Sequence, residues 1–320
     1  MIIKPMTDTS LATTGGAVRL TDWGLMRAQG EEAAKFLHGQ LTQDTVLQTS
    51  SQGRLAGYCS AKGRLLALML AFKRSPDELL LALPAELLPA TLKRLSMFVM
   101  RAKCKLSDAS AELAVWGLAG EAARAWLGDA ALADTWAVAA VGDALAMRLP
   151  DARLDDASMP RYLLVQAADA QAPGLPALGA ECWQWLEVQA GQAWVRSATI
   201  DQFVPQMINL ELLGGVNFQK GCYPGQEVVA RSQYRGTIKR RTLPFALGEG
   251  EAQIGQEIFH SADPEQPAGL VAGVGKHEGQ VLLLAEVKLA AIEEGSLHLG
   301  SASGPLLAPR ALPYAIAEPQ

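Results

Sequence analysis

Residues 220–231 read KGCYPGQEVVAR. A single cysteine, Cys222, stands directly before Tyr223-Pro224-Gly225-Gln226. Those four residues fit a type II turn: proline supplies the fixed φ at the second position and glycine the positive φ at the third. Cys222 therefore precedes a sharp reversal, where a side chain stands clear of packed layers. Residues 226–232 read as a short helix with Glu227 in its first turn, which sets the thiol near the positive end of a helix dipole. Lys220 lies two residues before it. Arg231, Arg235, Lys239, Arg240 and Arg241 follow with no acid among them. Positive potential favours thiolate over thiol. The plainer reading is that Cys222 is a small buried hydrophobe. The basic run has two readings as well. It is a solvated face or a set of domain-pinning arginines, or it is an anion site for a ligand carboxylate or a nucleic-acid backbone.

The rest of the chain bounds these readings. At 320 residues it suits two or three compact units. With 49% apolar and 19% charged residues it has material for packed cores and no compositional case for disorder. A net charge of −5 argues against a general nucleic-acid or membrane binder. The N-terminal stretch lacks the apolar run of a signal peptide. The longest uninterrupted apolar run, residues 65–72, is far short of a membrane span. Four scattered cysteines favour reduced thiols in the cytosol over a disulfide framework.

Periodicity outlines the elements. Residues 30–42 predict a helix with Ala33, Leu37 and Leu41 on one stripe. Residues 64–74 and 78–83 predict a hairpin, and 85–96 a helix that begins regularly near Pro89. Residues 99–106 alternate cleanly and predict a strand. Residues 111–117 predict a strand, 121–126 a helix, 162–165 the one short strand within 150–180, and 181–190 a helix. This mixture implies an α+β layer with an antiparallel sheet. After Arg241 short strands and turn residues predict a small all-β domain, sandwich or barrel.

Several signatures fail. GVGKHEG (273–279) is one residue off the dinucleotide fingerprint and leads into a strand pattern. GSASG (300–304) has alanine where a nucleophile serine belongs. The four histidines are far apart in sequence, which argues against a metal site, and His38 reads as a packed or surface residue. Cys104 and Cys182 fall on apolar faces, and Cys59 reads as structural.

KGCYPGQEVVAR, with FLHGQLTQD (36–44), FVPQMINLELLGGVNFQKGCYPGQE (203–227) and RGTIKRR (235–241), resembles the YgfZ family, whose relatives include the T-protein aminomethyltransferase of glycine cleavage. The resemblance spans about two thirds of the chain. It implies a three-domain T-protein-like α+β fold around a central opening, with antiparallel sheets, helices and a C-terminal β-barrel. The implied domains are 1–44 with 108–227 (folate-binding), 45–107 with 228–243 (ferredoxin-like) and 244–320 (barrel). It implies tetrahydrofolate or a derivative as cofactor.

By resemblance to the T-protein helix, WLEVQAG (185–191) makes Glu187 the pterin ligand. A carboxylate accepts paired hydrogen bonds from the amino and ring N–H groups of a pterin. Trp183, Trp185 and Trp194 lie nearby in sequence, as stacking partners or core residues. Tyr223, Gln226, Glu227, Arg231 and Arg235 join Glu187 as the expected folate contacts. Cys222 and Lys220 are the expected reactive pair. The family supports assembly or repair of iron–sulfur enzymes, including one that modifies tRNA, so transient partners of that kind are expected. Glu86 is the only acid in LALPAELLPA (81–90), where T-proteins carry an acidic residue in an Asn-rich loop, and this departure argues against glycine-cleavage chemistry. The alternatives are a folate-dependent one-carbon transferase with Cys222 as nucleophile, and an RNA-binding module using residues 231–241.

Overall fold

The computed structural model describes residues 15–130, 132–154, 157–234, 238–248 and 250–316. In chain order the strands and α-helices are β1 (Gly16–Arg19), β2 (Trp23–Gln29), α1 (Ala33–His38), β3 (Arg54–Cys59), β4 (Leu65–Ser75), β5 (Glu78–Pro84), α2 (Leu88–Val99), β6 (Lys105–Asp108), β7 (Leu113–Ala119) and α3 (Gly120–Leu127). There follow β8 (Val138–Val141), β9 (Ala144–Leu154), β10 (Ala157–Ala167), α4 (Ala180–Gln189), α5 (Gln226–Tyr234), β11 (Arg240–Leu247), β12 (Glu257–His260), β13 (Asp263–His277), β14 (Gln280–Lys288), β15 (Leu297–Leu299) and β16 (Leu306–Pro309).

These strands form two five-stranded sheets, ordered β1-β7-β10-β9-β8 and β3-β4-β5-β2-β6, and a closed barrel ordered β11-β14-β13-β12-β15-β16. The ladders are antiparallel, as the α+β reading requires. β2, from the N-terminal segment, pairs into the second sheet between β5 and β6. The barrel's first strand begins at Arg240. Phe245, Leu247, Val271, Leu283 and Leu299 fill the barrel, while one large core runs through both sheets and α4. No helix among the described residues is long and apolar enough to cross a membrane.

Three sequence expectations change. The helix predicted over 30–42 is α-helical only from Ala33 to His38. Beyond it the chain turns to pair with β3: the Thr42 N–H donates to Gly57 O and the Gly57 N–H donates to Thr42 Oγ1. The strand predicted over 99–106 shrinks to Lys105–Asp108. Val99 closes α2, whose Leu88, Thr91 and Leu95 are buried one turn apart. Met100 then breaks the helix at φ +46 and stands 86% exposed. Alternation alone does not make a strand, because a strand needs a neighbour, and β2 offers its free edge only from Met26 to Gln29. Residues 150–180 hold a long strand, β10, that follows an equally long β9. Pro150 and Pro160 obscured both. The β9–β10 ladder shifts register between Met159 and Arg161, and such a bulge accommodates Pro160.

The barrel meets the first sheet's domain along α4. Gly275 of β13 lies so close to α4 that a Cβ there would sit 2.2 Å from Trp185 Cα and 2.5 Å from its nitrogen. Backbone cannot yield as a flexible side chain does. Gly275→Ala is therefore expected to lower unfolding free energy by at least about 2 kcal/mol in urea titration. Wild-type stability in that variant overturns the close-contact account.

Candidate functional site

The cysteine turn is built as its residues dictate. The Gln226 N–H donates to Tyr223 O at 3.2 Å, closing the turn, and Gly225 sits at φ +78. A Cβ on Gly225 would meet Ser60 O at 2.4 Å and Gly63 Cα at 2.5 Å, so the turn is seated on the β3–β4 connection. α5 starts at Gln226 and buries Val229. Tyr223 is buried, and burial pushes its phenol up. Cys222 is exposed, the one exposed thiol among the four cysteines.

Lys220 anchors the turn from the other side. Its ammonium is buried and donates to His38 O and, at 2.8 Å, to Leu41 O, and it lies 4.9 Å from the centre of the Tyr223 ring. Burial pushes this amine down to about 8, against the opposing pull of Asp44 and Cys222. Lys220 thus holds the turn and lends positive charge beside the thiol.

His38, a packed or surface residue by its sequence context, is half-buried against Asp44. Its Nδ1 lies 3.1 Å from Asp44 Oδ1, and its Nε2 would lie 3.3 Å from a Cβ on Gly221. Burial works to raise the Asp44 carboxyl. The Leu47 N–H, His38 and the Val46 N–H outweigh it and hold the group below its ordinary value. Spacing gave no signal here, since Asp44 and Gly221 reach His38 only through the fold.

The basic run divides. Arg241 is buried in an ion pair with Glu211, and Arg240 pairs with Glu286 through both carboxylate oxygens. These two pin segments together. Arg231 and Lys239 are exposed, as is Glu227, while Gln226 is half-buried. Arg235 lies outside the described residues.

Glu187 occupies a second place. It is 8% exposed on α4 and lines a cavity of about 640 Å³. Glu86, Gln192 and Trp194 border the cavity from one side, Ile254 and Gly275 from the barrel. Trp194 Nε1 donates to Glu187 Oε1 at 2.8 Å. Burial pushes the Glu187 carboxyl up to about 7, against the pull of Arg196 and Arg161. The three tryptophans are buried: Trp194 meets Trp23 edge-on at 4.6 Å, Trp183 lies under Arg161, and Trp185 packs on His277. Cys222, Lys220, Tyr223, Gln226, Glu227 and Arg231 do not line this cavity.

Exposure makes a direct prediction. Burial pushes Cys59 up to about 12 and Cys182 up to about 11, so neither is a ready thiolate. Brief iodoacetamide treatment of the native protein at pH 8 is expected to add one carbamidomethyl group, located on Cys222 by peptide mass spectrometry. Labelling that begins at Cys59 or Cys182 contradicts the burial described here.

No protein-family model matches the chain. Curated relatives do. The tRNA-modifying protein YgfZ of Klebsiella pneumoniae is 34% identical over 276 residues, covering 82% of each chain. The tRNA-modifying protein YgfZ of Colwellia psychrerythraea is 32% identical over 235 residues, 70% of this chain and 69% of its own. Among solved structures, the glycine cleavage system aminomethyltransferase T of Bartonella henselae superimposes with a TM-score of 0.73, covering 96% of this chain and 88% of its own at 16% identity. The expected T-protein-like fold, with antiparallel sheets and a C-terminal barrel, is therefore the fold of this chain. With that fold, and with relatives above 30% identity across most of its length, the chain belongs to the YgfZ family.

Proposed function

We propose that the protein is a folate-binding accessory factor for iron–sulfur enzymes, among them enzymes that modify tRNA. The buried Glu187 carboxylate on a small-molecule-sized cavity carries the folate part of this reading. A volume of about 640 Å³ lies within the range of roughly 300–1,000 Å³ usual for such sites. One Glu187 oxygen is held by Trp194, which orients the carboxylate toward a paired-donor edge. A reduced pterin supplies that edge, and the residues present fit it. Bound there, a folate would supply a one-carbon carrier. The names of the YgfZ relatives support the tRNA connection.

Cys222 serves the other half of the reading. It is exposed, on a rigid turn, beside the Lys220 amine. Its exposure suits a thiol that meets a partner protein. The iron–sulfur connection rests on the family resemblance together with this exposure.

One observation favours a second reading, a folate-dependent one-carbon transferase. Glu86 borders the same cavity as Glu187, and its Oε1 accepts the Ser197 N–H at 3.0 Å. A carboxylate beside the bound one-carbon unit is what transfer to an amine needs. Methylene-tetrahydrofolate turnover that is lost in Glu86→Gln supports this reading. Absence of turnover with every amine or thiol acceptor offered leaves the accessory reading alone.

Isothermal titration with tetrahydrofolate tests the leading reading. Wild type is expected to bind, and Glu187→Gln to bind at least roughly tenfold more weakly, a loss of about 1.4 kcal/mol. Because burial pushes the Glu187 carboxyl up to about 7, affinity is expected to rise between pH 6 and pH 8 as the carboxylate ionises. Absence of binding to wild type at any pH defeats the folate claim.

Stability runs the opposite way. The folded state holds the Glu187 proton more tightly than the unfolded chain, whose ordinary value is 4.5. That contribution is complete below the unfolded value and is lost as pH rises through 7. Glu187→Gln is therefore expected to gain stability relative to wild type between pH 5 and pH 8, on the order of 1–3 kcal/mol, in paired thermal melts. A constant difference across that window removes the buried-carboxyl account.

A further inference from the structure

α2 buries its apolar stripe, Leu88, Thr91 and Leu95, against β2 and β6 of the second sheet. Its last turn and the residue after it nonetheless turn three large apolar side chains outward. Met97 is 62% exposed, Phe98 48% and Met100 86%. Met100 is held outward under strain. It sits at φ +46, where a long side chain is an outlier. Its C-terminal flank is pinned: the Ala102 N–H donates to Val99 O at 2.8 Å, and the Lys103 N–H donates to Glu32 Oε2 at 2.8 Å. Strain of this kind persists only where the surroundings over-determine it, and it points to function at a side chain that packing does not use.

Positive charge surrounds the apolar tip. Between Glu86 and Asp108 the chain carries five cations and no acid, in a protein whose net charge is −5. Lys93, Arg101 and Lys105 are exposed and stand in no ion pair among the described residues. Lys103 pairs with Glu31 at 2.5 Å. The same helix reaches toward the thiol turn. The Arg94 guanidinium, one turn before Phe98, lies beside the Tyr58 hydroxyl. Tyr58 stands near the end of β3, two residues before Ser60, the seat of the cysteine turn.

An apolar tip within a cationic collar calls for an anionic partner with apolar depth. Single-stranded nucleic acid is taken by aromatic platforms, and this tip offers one ring and two thioethers. An interfacial membrane helix needs its long apolar face free, and here that face is buried on the sheet. A protein groove fits both features. Methionine and aromatic residues are enriched at interfaces between proteins, and the flexible thioether adapts to grooves of different shape. That adaptability suits a factor that serves several enzymes.

We propose that Met97, Phe98 and Met100 form the docking tip for the partner iron–sulfur enzymes. The tip enters an apolar groove whose acidic rim pairs with Lys93, Arg101 and Lys105. This rests on the accessory-factor reading and adds where on the chain the partner sits and what chemistry its face carries.

Biolayer interferometry tests it, with a purified tRNA-modifying iron–sulfur enzyme as probe, and an unmodified tRNA transcript and phosphatidylglycerol vesicles as rival probes. Wild type is expected to bind the enzyme, and to bind at least roughly threefold more weakly in high salt than in low salt. Phe98→Ser, and Lys93→Glu combined with Arg101→Glu, are each expected to weaken that binding at least roughly tenfold. Met100→Gly separates docking from folding. Glycine accepts the positive φ, so this variant is expected to melt no lower than wild type and still to bind the enzyme at least roughly threefold more weakly. Thermal melting and alkylation at Cys222 establish that each variant is folded. Unchanged enzyme binding in the folded variants overturns the docking assignment and spares the accessory reading. Loss confined to the tRNA or to the vesicles overturns it in favour of that ligand. Failure of wild type to bind the enzyme overturns both.

Discussion

The structure depends on a buried polar knot around Asn209. This residue is fully buried at φ +58, a conformation that asparagine tolerates better than most residues. Its Nδ2 donates to Thr242 O at 2.7 Å and to the Tyr314 hydroxyl at 3.2 Å. Arg241 donates to Gln206 O, Asn209 Oδ1 and Glu211 Oε1. The Tyr314 hydroxyl donates a hydrogen bond to Gly191 O, just beyond α4, and Gln206 Nε2 donates to Val229 O on α5. The central segment 206–211 thereby joins the first barrel strand, the C-terminal tail, the end of the Glu187 helix and the helix of the cysteine turn. Stranding one buried charge in such a network costs about 3–5 kcal/mol, which makes its members mutually dependent. It also explains why, of the two readings of the basic run, the domain-pinning one holds for Arg241.

From that knot the two candidate sites diverge in physical character. The thiol turn uses exposure. Glycine at 225 allows the close seat on Ser60, Lys220 is held by the carbonyls beyond α1, and Cys222 is left outside. The Glu187 cavity uses burial. There desolvation raises the carboxyl toward neutrality, and Arg161, Arg196 and Trp194 set how far. A buried carboxylate raises the energy of the folded state.

Much of the architecture was legible in order. The β4–β5 hairpin, α2 starting beside Pro89, α4, the helix after the cysteine turn and the C-terminal β-domain all follow from local pattern. The errors lie where a neighbour decides. The alternating stretch 99–106 lacked a long enough partner edge, β9 and β10 hid behind prolines that a bulge absorbs, and Ala33–His38 ended early because Thr42 is claimed by β3.

The sequence by itself determined the turn chemistry around Cys222, the family resemblance and several elements, among them the β4–β5 hairpin, α2, α4 and α5, because glycine, proline and apolar spacing act over a few residues. Only the tertiary structure decided that Glu187 is buried on a cavity while Cys222 is exposed, that His38 meets Asp44 beside Gly221, and that Arg241 is buried. Those outcomes join residues up to 183 positions apart, as in the bond from Lys220 to His38, whose separation is 182, or the contact of His38 with Gly221. Burial and partner choice at such range are properties of the packed chain, and local pattern carries no term for them.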